Sequence, residues 1–226
     1  MSQALQGKRI LVTQAETFMG PAICDELTAQ GADVIRHEGA LTTPEAVIDA
    51  IDSAGDFDIL IANLAIAAPT TPATEVADEE WTAVFDALVH PLPRLARAVL
   101  PAWEARGSGK LIVVGSASAL RGINRTSTYC AARGAQVSWV QAVGLEMARH
   151  GIQVNCIAQN FVENPSYFPT EVQENPRFQE RLKREVPLGR LVTAKEDVSL
   201  IAYLCSDVAD CFVGQVFPMC GGWVGR

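Results

Sequence analysis

What this sequence lacks narrows the field first. No run of about 18 apolar residues occurs, so no segment is read as a membrane-spanning helix. Basic residues are the minority, 18 Lys and Arg against 26 Asp and Glu, for a formal net charge of −8. A surface of that sign gives no footing to nucleic acid or an anionic membrane. The six cysteines (Cys24, Cys130, Cys156, Cys205, Cys211 and Cys220) form no C-x-x-C pair and no cluster with histidine. Neither a metal site nor a disulfide framework is expected from them, and they read as free cytosolic thiols. The first nine residues lack the apolar core of a signal peptide, which also points to a cytoplasmic protein. Only three histidines are present; His37, His90 and His150 have no acidic partner at catalytic spacing and read as structural or exposed. Internal repeats, low-complexity tracts and linkers are missing too, leaving one domain over residues 1–226.

What is there suits that domain. Hydrophobic residues make up 49% and charged residues 19% of the 226 positions, the balance of a compact globule. Apolar runs at 8–13, 32–36, 57–62, 110–115, 152–157 and 215–219 read as strands. Helices are expected over 18–30, 44–53, a long region 78–104 interrupted by Pro91 and Pro93, 127–150 and 195–206. Residues 159–187, aromatic and rich in proline, read as irregular. Strands alternating with helices of this length imply an α/β fold, a doubly wound parallel sheet of Rossmann-like type covered on both faces. Ligands of such sheets sit beyond the carboxyl ends of the strands. Thr13, Asn63, Ser116 and Gln159 fall there.

The stretch from Ser116 to Arg133, S-A-S-A-L-R-G-I-N-R-T-S-T-Y-C-A-A-R, carries the chemistry. Tyr129 and Arg133 stand four apart on one helix and share a face. Ser116 meets them only if the loop folds back. A hydroxyl, a phenol and a permanent cation together make a site for taking a proton from an alcohol. Only about one phenol in a thousand is ionised at neutral pH. A working base asks for about 3 kcal/mol of help, within reach of one close, partly desolvated guanidinium. An arginine cannot lose its own proton and acts through charge and donors alone. Tyr129 with Arg133 also reads as an ordinary surface contact; Ser116 at a strand end shifts the balance to a site. Ser118 reads as a substitute for Ser116 or as a cap.

Strand–Ser–x12–Tyr–x3–basic residue, following Asn63-Leu-Ala after the third strand, resembles the short-chain dehydrogenase/reductase family over essentially the whole chain. Val154-Asn-Cys-Ile-Ala is similar to its fifth strand and Gly221-Gly-Trp223 to its C-terminal signature. Three departures stand out. A dinucleotide pyrophosphate needs glycines in the first turn, where side chains would block its approach to the backbone. The family's T-G-x-x-x-G-x-G reads here Thr13-Gln14-Ala15-Glu16-Thr17-Phe18-Met19-Gly20, with Gln14 and Phe18 for two glycines and Glu16 adding negative charge. Arg133 replaces the lysine that holds the nicotinamide ribose. Gln159-Asn160-Phe161 replaces the Pro-Gly turn after the fifth strand.

T-x4-F-x-G together with Ser–x12–Tyr–x3–Arg resembles the halohydrin dehalogenases, relatives of the dehydrogenases that have lost the cofactor. The resemblance implies reversible conversion of a vicinal haloalcohol to an epoxide plus halide, with no cofactor. In the reverse direction, small anions such as azide, cyanide and nitrite open the epoxide. Tyr129 is then the base, Ser116 holds the substrate oxygen, and Arg133 supports the phenolate. A halide pocket is implied between Phe18, through its ring edge, and the loop Gln159, Asn160, Phe161 and Val162, through backbone donors. Core packing is the lesser alternative for Phe18. Ser118, Leu120, Tyr167, Phe168 and Pro69 are expected to line the substrate side, or to form a hydrophobic cap. A homotetramer is expected by the same resemblance. An NAD(P)-dependent oxidoreductase with a degenerate phosphate loop is the rival reading, and a dehydrogenase-like binding protein the non-enzymatic one.

Overall fold

Six strands carry the computed structural model, which describes residues 4–225; residues 1–3 and 226 of the expected domain lie outside the described residues. They are β1 (Arg9–Val12), β2 (Asp33–Arg36), β3 (Ile59–Ala62), β4 (Gly109–Ser116), β5 (Ile152–Gln159) and β6 (Val216–Met219). The sheet order is β2-β1-β3-β4-β5-β6 and each pair is parallel. Growth of the sheet reverses at β1, so a crevice opens beyond the carboxyl ends of β1 and β3. In the β4/β5 ladder the last partners are Ser116 and Gln159. These two positions are therefore side by side at the same end.

Alternation along each strand builds two cores. Leu11, Leu60, Leu111 and Val113 face α2 (Pro44–Ala54), α3 (Asp78–Leu88), α4 (Pro91–Arg106) and α5 (Ser127–Met147). Ile10, Val12, Ile59, Ile61, Ile112 and Val114 face α1 (Gly20–Ala29) and α8 (Ala194–Cys205). A third cluster, with Phe161, Leu182, Val186 and Trp223, sits over the carboxyl ends of the strands.

Two expectations about the elements are corrected, and the expected interruption at Pro91 is a helix boundary. The first helix begins at Gly20, because Phe18 has φ +50° and belongs to the turn. The long region 78–104 is two helices: Pro91 starts α4 at its first turn, where its missing N–H costs nothing. Residues 159–187 hold α6 (Thr170–Gln173) and α7 (Pro176–Glu185). Asn175 caps α7 by accepting from the Arg177 N–H at 2.9 Å, with Pro176 next. That Asn-Pro start was a helix signal hidden among aromatics.

Gly20 is held tightly under the first turn. A Cβ there would stand 2.5 Å from the Gln14 carbonyl oxygen and 2.7 Å from the Ala15 carbonyl. Gly20→Ala is expected to cost about 1–3 kcal/mol, read as a lowered urea midpoint with the slope unchanged.

Candidate active site

Ser116 ends β4, and the chain turns at once into a short 3-10 segment, Ala117–Ala119. That turn folds the Ser118 side chain back onto its neighbour. Ser116 Oγ accepts from the Ser118 hydroxyl at 2.9 Å and from the Ser118 N–H at 3.2 Å. Its acceptor capacity is then spent and its own proton is free to be donated. Tyr129 and Arg133 come from the first two turns of α5, whose start is tied down from outside. Thr128 Oγ1 donates to Glu80 at 2.9 Å, and Thr71 Oγ1 donates to the other oxygen of the same carboxylate at 2.6 Å.

Ser116, Tyr129 and Arg133 are buried, with 8%, 7% and 4% of their surface exposed, and all three line one cavity of about 150 Å³. The guanidinium carbon lies 5.0 Å from the Tyr129 ring centroid. Arg133 Nη1 donates to the Val114 carbonyl at 3.1 Å and to Gln136 Oε1 at 2.8 Å, while its Nε is buried with no partner. Among the described residues no carboxylate pairs with it. A buried cation without an anion favours any negative charge that forms beside it.

The turn after β1 is where the family pattern implies a dinucleotide. Gln14 and Phe18 have φ +45° and +50°, the left-handed conformation that favours glycine. The backbone thus keeps the shape of a glycine turn while side chains fill it. Gln14 Oε1 accepts from the Ala65 N–H at 2.6 Å, and the Gln14 carbonyl accepts from Asn63 Nδ2 at 2.9 Å. Glu16 accepts from the Gly39 N–H at 3.0 Å. The Ala65 N–H, the Asn63 amide and the Gly39 N–H are thereby taken up by the turn itself, and the Glu16 carboxylate stands among them. These residues do not fit the group.

The far end of the cavity is made by Phe18, Gln159, Asn160, Phe161 and Val162. The expected set of backbone donors needs correction. The Asn160 N–H is spent on the Met219 carbonyl at 3.0 Å, and the Phe161 N–H on the Asn160 side chain at 2.9 Å. Phe161, at φ +53°, turns the chain. Only the Val162 N–H of the three has no partner among the described residues.

Tyr167 and Phe168 line the cavity; Ser118, Leu120 and Pro69 do not. Ser118 lies behind Ser116 as its donor, and Leu120 packs on the aromatic cluster instead. The Tyr167 ring is 5.5 Å from Phe18, and its hydroxyl donates to the Ile66 carbonyl (2.8 Å) and accepts from the Ala68 N–H (3.1 Å). Burial raises the Tyr167 phenol, and Tyr129 beside it pushes the same way. Tyr167 is therefore a fixed donor and not a base. Asn63, Thr126 and Asn164 also line the cavity, and of these only Asn63, at a strand end, carried a sequence signal. His90 and His150 pair with Asp86 (2.7 Å) and Glu104 (3.3 Å) outside the cavity, so they do have acidic partners.

Behind Gln159 stands Asp197 of α8, fully buried, whose Oδ2 accepts from Gln159 Nε2 at 2.6 Å. Burial pushes its carboxyl up from 3.8 to about 7, against a smaller lowering by Gln159. The native state then holds this proton more tightly than the unfolded chain. The stabilisation is full below about pH 4 and is lost as pH rises to about 7. Asp197→Asn should remove that slope, so that its stability relative to the parent improves by a few kcal/mol between about pH 5 and about pH 8, measured by chemical unfolding.

The Enoyl-(Acyl carrier protein) reductase family model matches residues 4–224. The 3-oxoacyl-(acyl-carrier-protein) reductase FabG of Escherichia coli (strain K12) is 29% identical over 242 residues, which is 96% of this chain and 97% of that protein. A solved structure named as a dehalogenation enzyme is similar at a TM-score of 0.89 and 32% identity, over 98% of this chain and 100% of its own. Halohydrin dehalogenase (HheC) bound to ethyl (2S)-oxiran-2-ylacetate is similar at a TM-score of 0.87 and 28% identity, over 96% and 98%. With the family model spanning nearly the whole chain and a six-stranded parallel sheet beneath it, the chain belongs to the short-chain dehydrogenase/reductase family.

Proposed function

We propose that this protein is a cofactor-independent halohydrin dehalogenase, closing small vicinal haloalcohols to epoxides with release of halide and a proton. The observation that carries the reading is the buried guanidinium of Arg133, without a carboxylate partner, against the face of Tyr129. The filled first turn supports it, as do two similar structures, one named as a dehalogenation enzyme and one as a halohydrin dehalogenase bound to an oxirane.

In this reading Ser116 donates its free proton in a hydrogen bond to the substrate oxygen. Tyr129 takes the hydroxyl proton, and Arg133 offsets the negative charge left on the phenol. The alkoxide attacks the neighbouring carbon from behind, forming the C–O bond as the C–halogen bond breaks. The halide leaves toward Phe18 and the free Val162 N–H. In reverse, neutral Tyr129 protonates the epoxide oxygen while a small anion from that end attacks carbon. No hydride moves, so the reaction is expected to run without nicotinamide.

The rival reading, an NAD(P)-dependent reductase, is favoured by the reductase names among the sequence relatives. Chloride or bromide release from a small vicinal haloalcohol, with and without nicotinamide, separates the two. Release independent of nicotinamide is expected; release only with it, or a micromolar NAD(P)H complex by calorimetry, would sink the proposal. Tyr129→Phe should abolish release with the fold intact, and Ser116→Ala should lower it about a hundredfold or more. Arg133→Lys should be less damaging than Arg133→Met, because a cation remains.

The homotetramer belongs to the same reading. Trp81 and Phe85 stack at 4.8 Å on α3, and Leu145 of α5 is 74% exposed, apolar surface that partner copies would cover. Light scattering should give four copies; a stable monomer would overturn this part.

A further inference from the structure

Asp197 takes no part in the chemistry above, yet it stands directly behind the cavity wall. Its Oδ2 holds the amide of Gln159, which lines the cavity, and its Oδ1 is buried with no partner. The charged groups of the surrounding elements are engaged elsewhere. On α8, Lys195 pairs with Glu26 of α1, and Glu196 with Arg190 and Thr193. Glu163, after β5, takes the Ala194 N–H at 3.3 Å. Burial raises the thiols of Cys24 on α1 and Cys205 on α8, the latter to about 12, so both stay neutral. On the cavity side stand Tyr129, Arg133 and Tyr167.

A buried carboxylate with one hydrogen bond and one bare oxygen has two workable arrangements. Ionised, it must take an N–H from Gln159, which turns the amide nitrogen away from the cavity and sets a negative charge one side chain behind its wall. Protonated, it can donate to Gln159 Oε1 after the amide rotates, and the NH2 group then faces the cavity as a donor. The first arrangement repels an anion; the second receives one.

We propose that Asp197, acting through Gln159 as a positioning residue, couples anion entry into this cavity to the uptake of one proton. The inference rests on the reading that the Phe18–Val162 end takes a small anion. One proton is taken up with the anion and returned when it leaves, so the net reaction is unchanged. A carboxyl raised to about 7 by burial has both arrangements within reach near neutral pH. A bound anion shifts it further toward the protonated one, and by linkage the anion binds more tightly where the proton is already present.

The test is bromide and azide binding to the Tyr129→Phe protein, which removes the other proton-exchanging group of the reaction. Calorimetry from about pH 5 to about pH 9, in buffers of different ionisation enthalpy, reads affinity and protons together. Affinity should fall about tenfold per pH unit above about pH 7, with uptake approaching one proton per anion at about pH 8. Adding Asp197→Asn should flatten the affinity and abolish the uptake. A slope that survives Asp197→Asn overturns the proposal. If that variant does not fold, infrared spectroscopy of the Tyr129→Phe protein decides: bromide added at about pH 8 should raise the carbonyl band of a protonated carboxyl, and no such band overturns the proposal. Anion binding without proton uptake sinks this inference alone. No anion binding at any pH sinks the dehalogenase reading with it.

Discussion

A single buried cation sets the terms for the site. Arg133 is 4% exposed, bonds only to a carbonyl and an amide oxygen, and has no carboxylate partner among the described residues. Removing a guanidinium from water is costly, and a fold carries such a group only where its surroundings compensate. Here the compensation is neutral and rigid: the end of β4 supplies Val114, and Gln136 is itself held by the Leu88 carbonyl at 2.6 Å. Sheet, α3 and α5 must all be in place before the cation is tolerated. This unpaired cation therefore sits against the face of Tyr129, a phenol that lines the cavity.

The first turn keeps the backbone of a glycine turn while carrying side chains. Left-handed backbone at Gln14 and Phe18 costs about 1–2 kcal/mol each for a residue with a side chain. The bonds from Gln14 to Asn63 and Ala65 offset part of that cost. Asn63 is thereby recruited as a brace for a filled turn, and its Oδ1 remains buried without a partner. Small residues in the loop after β3 let the turn pack against it.

Much of the fold was legible because parallel strands buried on both faces leave apolar runs that few other structures produce. Ser116, Tyr129 and Arg133 were legible because spacing on one strand end and one helix survives translation into space. Other features depended on partners distant in sequence. The Asn160 N–H is used up by Met219, and Gln159 finds Asp197 38 positions along the chain. Nothing local announces either bond. Ser118 was visible as a hydroxyl, but its place behind Ser116 needed the 3-10 turn. The helix α7 was missed because proline and aromatic content outweighed its Asn-Pro start.

The Tyr167 hydroxyl is a clasp. It bonds both Ile66 and Ala68, joining the loop after β3 to the segment after β5 across the cavity mouth. Each bond is worth about 1 kcal/mol, and both must let go before the two loops separate. Traffic through that mouth would then be metered by local opening and not by diffusion alone, so a bulky guest waits longer than a small one even where both fit inside. Size discrimination of this kind lives in a rate. It would leave no mark on the shape of the closed pocket.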